Sequence, residues 1–309
     1  MSQVVKFLLT SDIHQHIPKW KQLVDAVQRD APRFVVIAGD LLPKSGGFKG
    51  QRDFFPKLEL HLEDMRKAGA TVLLMMGNDD FHPLEPMVDE LAAGGLCVNM
   101  NARVHREAGL RFCGVAEVRD YPFGYKHWCV PDGEFVQSPA QFCGEGLTVD
   151  DNGQWSKLLN LREHLSRKRS LDLRLSALLA QLESDELRRS VWLIHQPPTA
   201  LGMDICGNGQ QVGSPTILDF ITRHQPLVGV SGHIHESPYQ NGGRWVGLVR
   251  DSVWFQPGQM HERLHYVSLE MTAARNIRNI RHSIFGPTPI EFKRFSETEN
   301  AAISNGLNP

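Results

Sequence analysis

Seven side chains that can donate a lone pair to a metal ion follow short apolar segments of the chain. Each segment is rich in the residue types that buried strands favour, and residues 4–9 and 34–38 are clear examples. Imidazole and carboxylate groups are ligands that borderline divalent cations such as Mn, Fe, Co, Ni and Zn accept. The donors that follow these segments are Asp12, His14, Asp40, Asn78, His195, His233 and His235.

Two pairs of these donors have a spacing that lets both members face one centre. Asp12 lies two residues before His14, which places both side chains on the same side of an extended segment. His233 and His235 have the same spacing, and glycines that precede three of the donors leave room for close approach. Seven ligands exceed what one tetrahedral ion uses, so the set predicts two ions that share one carboxylate.

Buried strands that alternate with helices would position the donors. In open parallel α/β sheets, ligands bind beyond the carboxyl ends of the strands, so polar residues at successive strand ends are expected to converge. The pattern predicts an irregular insertion at residues 119–154 and two charged helices at residues 155–189. The pattern further predicts strands at residues 4–9, 34–38, 71–76, 111–118, 191–194, 226–230, 246–249, 253–255 and 264–269, and helices from residue 18 and near 56–67, 83–93 and 217–224.

Composition narrows the classes of partner and compartment. The 33 Lys and Arg residues nearly balance the 35 Asp and Glu residues, which disfavours nucleic acid or an acidic membrane as a partner. The five cysteines are odd in number and contain no CxxC pair, which favours free thiols in a reducing compartment, so we expect a cytoplasmic location. No apolar run approaches the ~20 residues of a membrane span, so no membrane contact is expected.

The order and context of the donors resemble those of the calcineurin-like metallophosphoesterase superfamily. The chain shows Asp-x-His, Gly-Asp, Gly-Asn, a lone His and Gly-His-x-His, each closing a predicted strand between about residues 4 and 269. The resemblance implies an α/β fold, a four-layer sandwich of two mixed β-sheets flanked by helices. This domain would cover residues 1–285, with a helical and irregular insertion at about 119–189, before a partly flexible C-terminal extension at residues 286–309.

The resemblance also implies a chemistry: hydrolysis of phosphate mono- or diesters by a hydroxide that bridges two divalent metal ions, with Mn favoured. The partner would be a small phosphoester substrate, and its identity is not implied. The resemblance assigns one ion to Asp12, His14, Asp40 and His235, and the other to Asp40, Asn78, His195 and His233.

One motif departs from the family pattern, which usually reads Gly-Asn-His. Here two aspartates, Asp79 and Asp80, follow Gly77 and Asn78, so the histidine that protonates the leaving group is missing. An aspartate beside two cations should be ionised and unable to donate a proton, which predicts a preference for good leaving groups. His16 and His82 lie near the motifs and are substitute proton donors. The catalytic candidates are therefore Asp79, Asp80, His16 and His82.

Other interpretations of these residues stay open at this stage. Helix capping alone would explain the residue types of Asp12 and Asn78, and His195 could be a core histidine bonded to a backbone carbonyl. A chain that kept its metal ligands but lost turnover would be a scaffold or adaptor that acts through a protein partner. A nuclease is a less favoured third function, because it requires a basic groove.

Overall fold

The computed structural model describes residues 4–14, 16–120, 123–133, 146–273 and 275–288. Its first large sheet contains four mutually parallel strands, of which the alternation of strand and helix predicted three. Antiparallel strands at one side make the sheet mixed. The order across the sheet is β15 (Gly286–Pro287), β14 (Ile277–His282), β13 (Val267–Met271), β1 (Val5–Thr10), β2 (Phe34–Ala38), β3 (Thr71–Met75) and β4 (Val98–Asn99).

A second mixed sheet lies against the first. Its four central strands are mutually parallel, and an antiparallel strand closes each edge. Its order is β11 (Val246–Val249), β12 (Ser252–Phe255), β10 (Val228–Val230), β9 (Ser190–Ile194), β6 (Leu110–Val115) and β5 (Val104–Glu107).

Aromatic residues join the two sheets. Phe34 of β2 packs on Phe112 of β6 with ring centroids 4.8 Å apart, and Phe7 of β1 lies 5.3 Å from Phe34. All three rings are at most 2% exposed, so they form part of an apolar core between the sheets. The predicted sandwich of two mixed sheets flanked by helices is confirmed.

Helices flank the sheets, and the longer ones, such as α1, α3 and α8, bury one apolar stripe. In α1, Trp20, Leu23 and Val27 are buried, and Pro18 lies in the first turn, where its missing N–H costs nothing. No helix of the described residues is long and apolar enough to cross a membrane. The helices are α1 (Ile17–Asp30), α2 (Gly47–Arg52), α3 (Phe55–Lys67), α4 (Glu85–Ala93), α5 (Leu161–Ser166), α6 (Leu171–Leu179), α7 (Ser184–Leu187) and α8 (Pro215–His224).

The predicted pair of helices at residues 155–189 is wrong in its first part. Trp155–Leu158 is a strand, β8, which pairs antiparallel with β7 (Gly146–Val149) in a small separate sheet. Of the leucines that suggested these helices, Leu158 ends the strand and Leu159 is 86% exposed, whereas the others lie in two short helices, Leu161 and Leu165 in α5 and Leu171 and Leu175 in α6. Strand pairing therefore overrides the local period. Part of the predicted insertion, and residues 289–309 of the predicted C-terminal extension, lie outside the described residues.

Strand ends from both sheets meet at one edge of the molecule. Asp12 follows β1 and Asp40 follows β2, and backbone hydrogen bonds tie the two loops: the amide of Asp12 donates to Gly39 at 3.0 Å. The loop after β10 joins them, because the His233 amide donates to Oδ1 of Asp12 at 2.9 Å. The Gly232 amide of the same loop donates to the carbonyl of His195, which directly follows β9. The fold thus delivers the loops that carry the donors to one place.

Helix α3 offers a direct test of this packing. Leu58 is fully buried against the first sheet, whereas Leu60, two residues on, is 61% exposed. We expect Leu58→Ala to lower the free energy of unfolding by about 2–5 kcal/mol, since it removes core contacts and leaves a cavity. Leu60→Ala is the matched control and should change it by less than about 0.5 kcal/mol. Urea unfolding measures both, and equal losses would contradict the assigned face of the helix.

Candidate metal centre

Four of the seven predicted donors form one compact group. One ligand atom from each of Asp12, His14, Asp40 and His235 lies within 4.8 Å of the others. Nε2 of His235 lies 3.5 Å from Oδ1 of Asp12. Nε2 of His14 lies 3.4 Å from Nε2 of His235 and 3.8 Å from Oδ2 of Asp40. Because two ring nitrogens and two carboxylates face one another, the group has the composition of a divalent cation site.

The remaining three donors gather beside the same aspartate. Nε2 of His195 lies 2.9 Å from Oδ1 of Asn78 and 3.5 Å from Oδ2 of Asp40. Nδ1 of His233 approaches the same Asn78 oxygen. Asp40 therefore stands between the two groups, which is where the resemblance puts the shared carboxylate. The structure brings all seven predicted donors together.

The backbone at the centre adopts conformations that side chains other than glycine rarely take. Asp12, His14, Asp40 and His233 have positive φ angles of 55°, 51°, 55° and 72°. Left-handed conformations at such residues cost free energy and cluster at functional sites. The turn after each strand is therefore shaped to present its ligand rather than for stability alone.

Glycine is required where two of these turns approach each other. A Cβ on Gly77 would lie 2.4 Å from Oδ1 of Asp40 and 2.7 Å from Cε1 of His195. A Cβ on Gly39 would lie 2.3 Å from Nδ1 of the same histidine. The glycines before Asp40 and Asn78 thus provide the close approach that the sequence predicted.

Backbone carbonyls orient two of the imidazole rings. Nδ1 of His195 lies 2.7 Å from the Ala38 carbonyl, and Nδ1 of His14 lies 3.2 Å from the Leu42 carbonyl. A carbonyl accepts only, so the hydrogen is assigned to Nδ1, and Nε2, which faces the cluster, offers its lone pair when the ring is neutral. Metal-binding histidines typically donate a hydrogen bond from the ring nitrogen that does not bind the metal, as Nδ1 does here.

Burial and neighbouring charge set the protonation of the donors. Burial lowers the pKa of His14 and His233 to about 3, so both rings are neutral at pH 7. Burial also disfavours the charge on His195, but Asp40 beside it outweighs burial and raises the pKa to about 9. Burial alone would raise the pKa of Asp40, yet its histidine neighbours hold it well below the usual value. A metal ion must therefore displace a proton from His195.

Two buried atoms at the centre have no hydrogen bond within the described part of the chain. They are Oδ2 of Asp40 and Nε2 of His233. Buried polar groups without a partner are rare and call for an explanation such as an ion. The residues at the centre therefore fit divalent cations in donor chemistry and in their unsatisfied atoms.

Asp79 borders the centre and is paired with a lysine. Oδ2 of Asp79 lies 2.7 Å from Nζ of Lys44, and Oδ1 accepts from Nδ2 of Asn78 at 3.0 Å. Burial, followed by the charge of Asp40, raises the pKa of Asp79 more than Lys44 lowers it. The sequence prediction considered only the effect of cations on this carboxyl and therefore missed the opposite effects of burial and Asp40.

Asp80 faces the backbone rather than the cluster. Oδ2 accepts from the amides of Leu41 and Gly77 at 2.9 and 3.0 Å, and Oδ1 accepts from the amide of Leu42 at 2.7 Å. The side chain is fully buried, and burial together with Asp40 raises its pKa to about 8. The structure thus gives Asp80 a positioning role, in which it holds the loops after β2 and β3 together.

The two histidines predicted as substitute proton donors contact other groups. Nε2 of His16 lies 2.9 Å from Oε2 of Glu262. The His82 ring packs on Trp128 with centroids 4.7 Å apart, and its side chain is 56% exposed. The contacts described for these two rings include none of the seven donors.

Sequence reasoning missed the other residues of the site's mouth. An open pocket of about 480 Å³ adjoins the centre. Lys44 lies four residues after Asp40, at a spacing that gives no signal in the sequence. The residues that line the pocket are Lys44, Asn78, Asp79, Phe123, Gly124, Tyr125, Leu147, His233, His235 and Glu236.

The different roles of the paired aspartates can be measured in chelator-treated protein. Asp80→Ala leaves three buried amides without their acceptor, so we expect the free energy of unfolding to fall by about 2–5 kcal/mol. Asp79→Ala removes an ion pair to a half-exposed lysine and should cost less than about 1 kcal/mol. Denaturant unfolding compares the two variants. Similar losses for both would contradict the positioning role of Asp80.

Comparisons with known proteins agree with the fold. The protein TT1561 of Thermus thermophilus has a TM-score of 0.53 at 16% identity, covering 86% of this chain and 94% of that chain. A dimetal phosphatase from Danio rerio has a TM-score of 0.52 at 13% identity, and the match covers 94% of this chain and 99% of that chain. These likenesses show the fold.

No curated protein matches the sequence. The profile of the calcineurin-like phosphoesterases matches residues 5–237, about three quarters of the chain. The chain belongs to the calcineurin-like phosphoesterase family.

Proposed function

We propose that the chain is a phosphoesterase that hydrolyses phosphate mono- or diesters with two divalent cations. The observation that carries the proposal is the shared position of Asp40, whose carboxylate faces both donor groups and whose Oδ2 has no hydrogen bond to any residue that the structure describes. Asp12, His14 and His235 would complete one site. Asn78, His195 and His233 would complete the other. When bound, two such ions supply Lewis-acid activation of water and neutralise charge on the phosphoryl oxygens.

The chain's own residues supply orientation and electrostatics. The Ala38 and Leu42 carbonyls hold the rings of His195 and His14 in fixed orientations, so these rings need little reorganisation when metal ions bind. Lys44 adds a positive charge at the mouth, beside Asp79, where an anionic phosphoester would enter. Substrate binding would therefore combine the fixed metal ligands with the positive charge of Lys44.

The finer assignments belong to the same proposal. Mn is the favoured metal, although this donor set also accepts Fe, Zn, Co and Ni. The described cysteines, Cys97, Cys113, Cys129 and Cys206, are free and buried, which supports a reducing, cytoplasmic location. The near balance of charge supports a small phosphoester rather than nucleic acid as the substrate.

A second candidate function is a metal-binding scaffold that acts through a protein partner. It is favoured by Asp79, which stands at the family's usual histidine position and is held by Lys44. The two functions differ in turnover. Protein that binds two metal ions per chain yet hydrolyses no phosphoester would favour the scaffold.

The shared carboxylate is the first target for mutation. Asp40→Asn keeps the shape but removes the charge, so we expect bound Mn²⁺ to fall below two ions per chain. We also expect hydrolysis of bis-nitrophenyl phosphate to fall by more than about 100-fold, since loss of outer-shell partners alone costs about 10–100-fold. Elemental analysis and a colorimetric assay measure the two effects. Asp53→Asn, at a half-exposed position, is the control and should change neither. Full activity of Asp40→Asn would refute the proposal.

The missing histidine predicts a dependence on the leaving group. A general acid contributes about 10²–10⁴-fold, so we expect glycerol phosphate to be hydrolysed at least about 100-fold more slowly than nitrophenyl phosphate. Asp79→His should narrow this gap, whereas Asp79→Asn, which cannot donate a proton in the same way, should not. Steady-state kinetics on both esters provides the ratio. Equal rates in the unmodified protein would show that another group protonates the leaving oxygen.

A further inference from the structure

The pocket at the metal centre has two chemically different sides. One side carries Lys44, Asp79 and Glu236, next to the ligands His233 and His235. The other side is apolar and is formed by Phe123, Gly124, Tyr125 and Leu147. The whole pocket has a volume of about 480 Å³, which lies within the range of small-molecule sites. A ligand that places a phosphoryl group on the polar side would therefore extend along the apolar side.

The apolar side consists largely of aromatic rings and begins at a metal ligand. The Phe123 ring meets the His233 ring edge to face, with centroids 5.2 Å apart. The Tyr125 ring packs against Trp155, with centroids 5.2 Å apart, and against Phe81, with centroids 5.5 Å apart. These contacts fix the position of the Tyr125 ring at the pocket. We call Phe123 and Tyr125 the aromatic wall.

The segment that carries the wall is held in place. The Lys126 amide donates to the Leu147 carbonyl at 2.8 Å, and the Leu147 amide donates to the Gly124 carbonyl at 3.0 Å. Nζ of Lys126 is buried, pairs with Asp120 at 2.6 Å and lies 4.4 Å from the centroid of the Phe123 ring. Such anchoring reduces the ordering cost of binding.

The space in front of the wall is open. A Cβ added to Gly124, between the two wall residues, would meet no atom of the described residues within 4 Å. A larger residue there would narrow the space. The glycine thus leaves room beside the Tyr125 ring for part of a ligand.

We propose that the leaving group of the substrate carries a planar aromatic ring that packs on the aromatic wall. The inference rests on the proposed function and names the substrate class of that site. Aromatic pairs gain about 0.5–1.5 kcal/mol beyond the area they bury, which corresponds to about 2- to 12-fold in affinity. Aryl leaving groups also need the least protonation, which suits a centre that lacks the usual histidine.

The test uses Mn²⁺-loaded protein and two non-hydrolysable probes of similar size. Phenylphosphonate carries a planar ring and cyclohexylphosphonate a puckered one. Calorimetric titration should show that the phenyl compound binds about 2- to 12-fold more tightly. Tyr125→Leu keeps an apolar side chain but removes the ring, so the ratio should fall toward one. Tyr125→Phe is the matched control and should keep the ratio.

The outcomes separate this inference from the proposed function. Equal binding of the two phosphonates, no binding of either, or a ratio that Tyr125→Leu leaves unchanged would overturn the aromatic wall as a binding surface. Hydrolysis of phenyl phosphate is measured with the same preparation. A phenyl preference without hydrolysis would support the wall and contradict the phosphoesterase proposal, whereas hydrolysis without a preference would contradict the wall alone.

Discussion

Two buried carboxylates impose the constraint on which the rest of the site depends. Asp12 and Asp40 follow adjacent parallel strands, are at most 2% exposed, and offer oxygens within 4.8 Å of each other. Like charges about 4 Å apart repel by about 4 kcal/mol at an effective dielectric constant of about 20, and burial adds a desolvation cost. Neighbouring imidazoles offset part of this cost in the metal-free chain. Divalent cations between the carboxylates would offset the rest.

The surrounding structure holds these charges in place. Asp80 accepts hydrogen bonds from three backbone amides in the loops after β2 and β3, and the absence of a side chain at Gly77 allows these loops to approach closely. Left-handed backbone at Asp12 and Asp40 directs their carboxylates toward the histidines from the second sheet. A strained backbone of this kind persists only where the packing around it fixes its conformation. The rigid sandwich therefore supports an energetically costly but ordered centre.

The sequence was sufficient to predict the parallel strands and the convergence of all seven donors, because strand ends in such sheets share one edge. It did not separate the roles of Asp79 and Asp80, since both are aspartates and only their contacts differ: one pairs with Lys44 and the other with backbone amides. Lys44 and Tyr125 were missed because their positions depend on loops without periodicity. The strand at Trp155 was mistaken for a helix because its partner strand, not its own spacing, determines its structure.

The central claim is that Asp40 joins two cation sites, and metal-specific anomalous diffraction tests it most directly. Crystals grown with Mn²⁺ should show two anomalous peaks about 3.5–4 Å apart, the separation typical of two-metal centres. We expect one peak beside Asp12, His14 and His235 and the other beside Asn78, His195 and His233, with Asp40 between them. A single peak, or peaks remote from Asp40, would contradict the account.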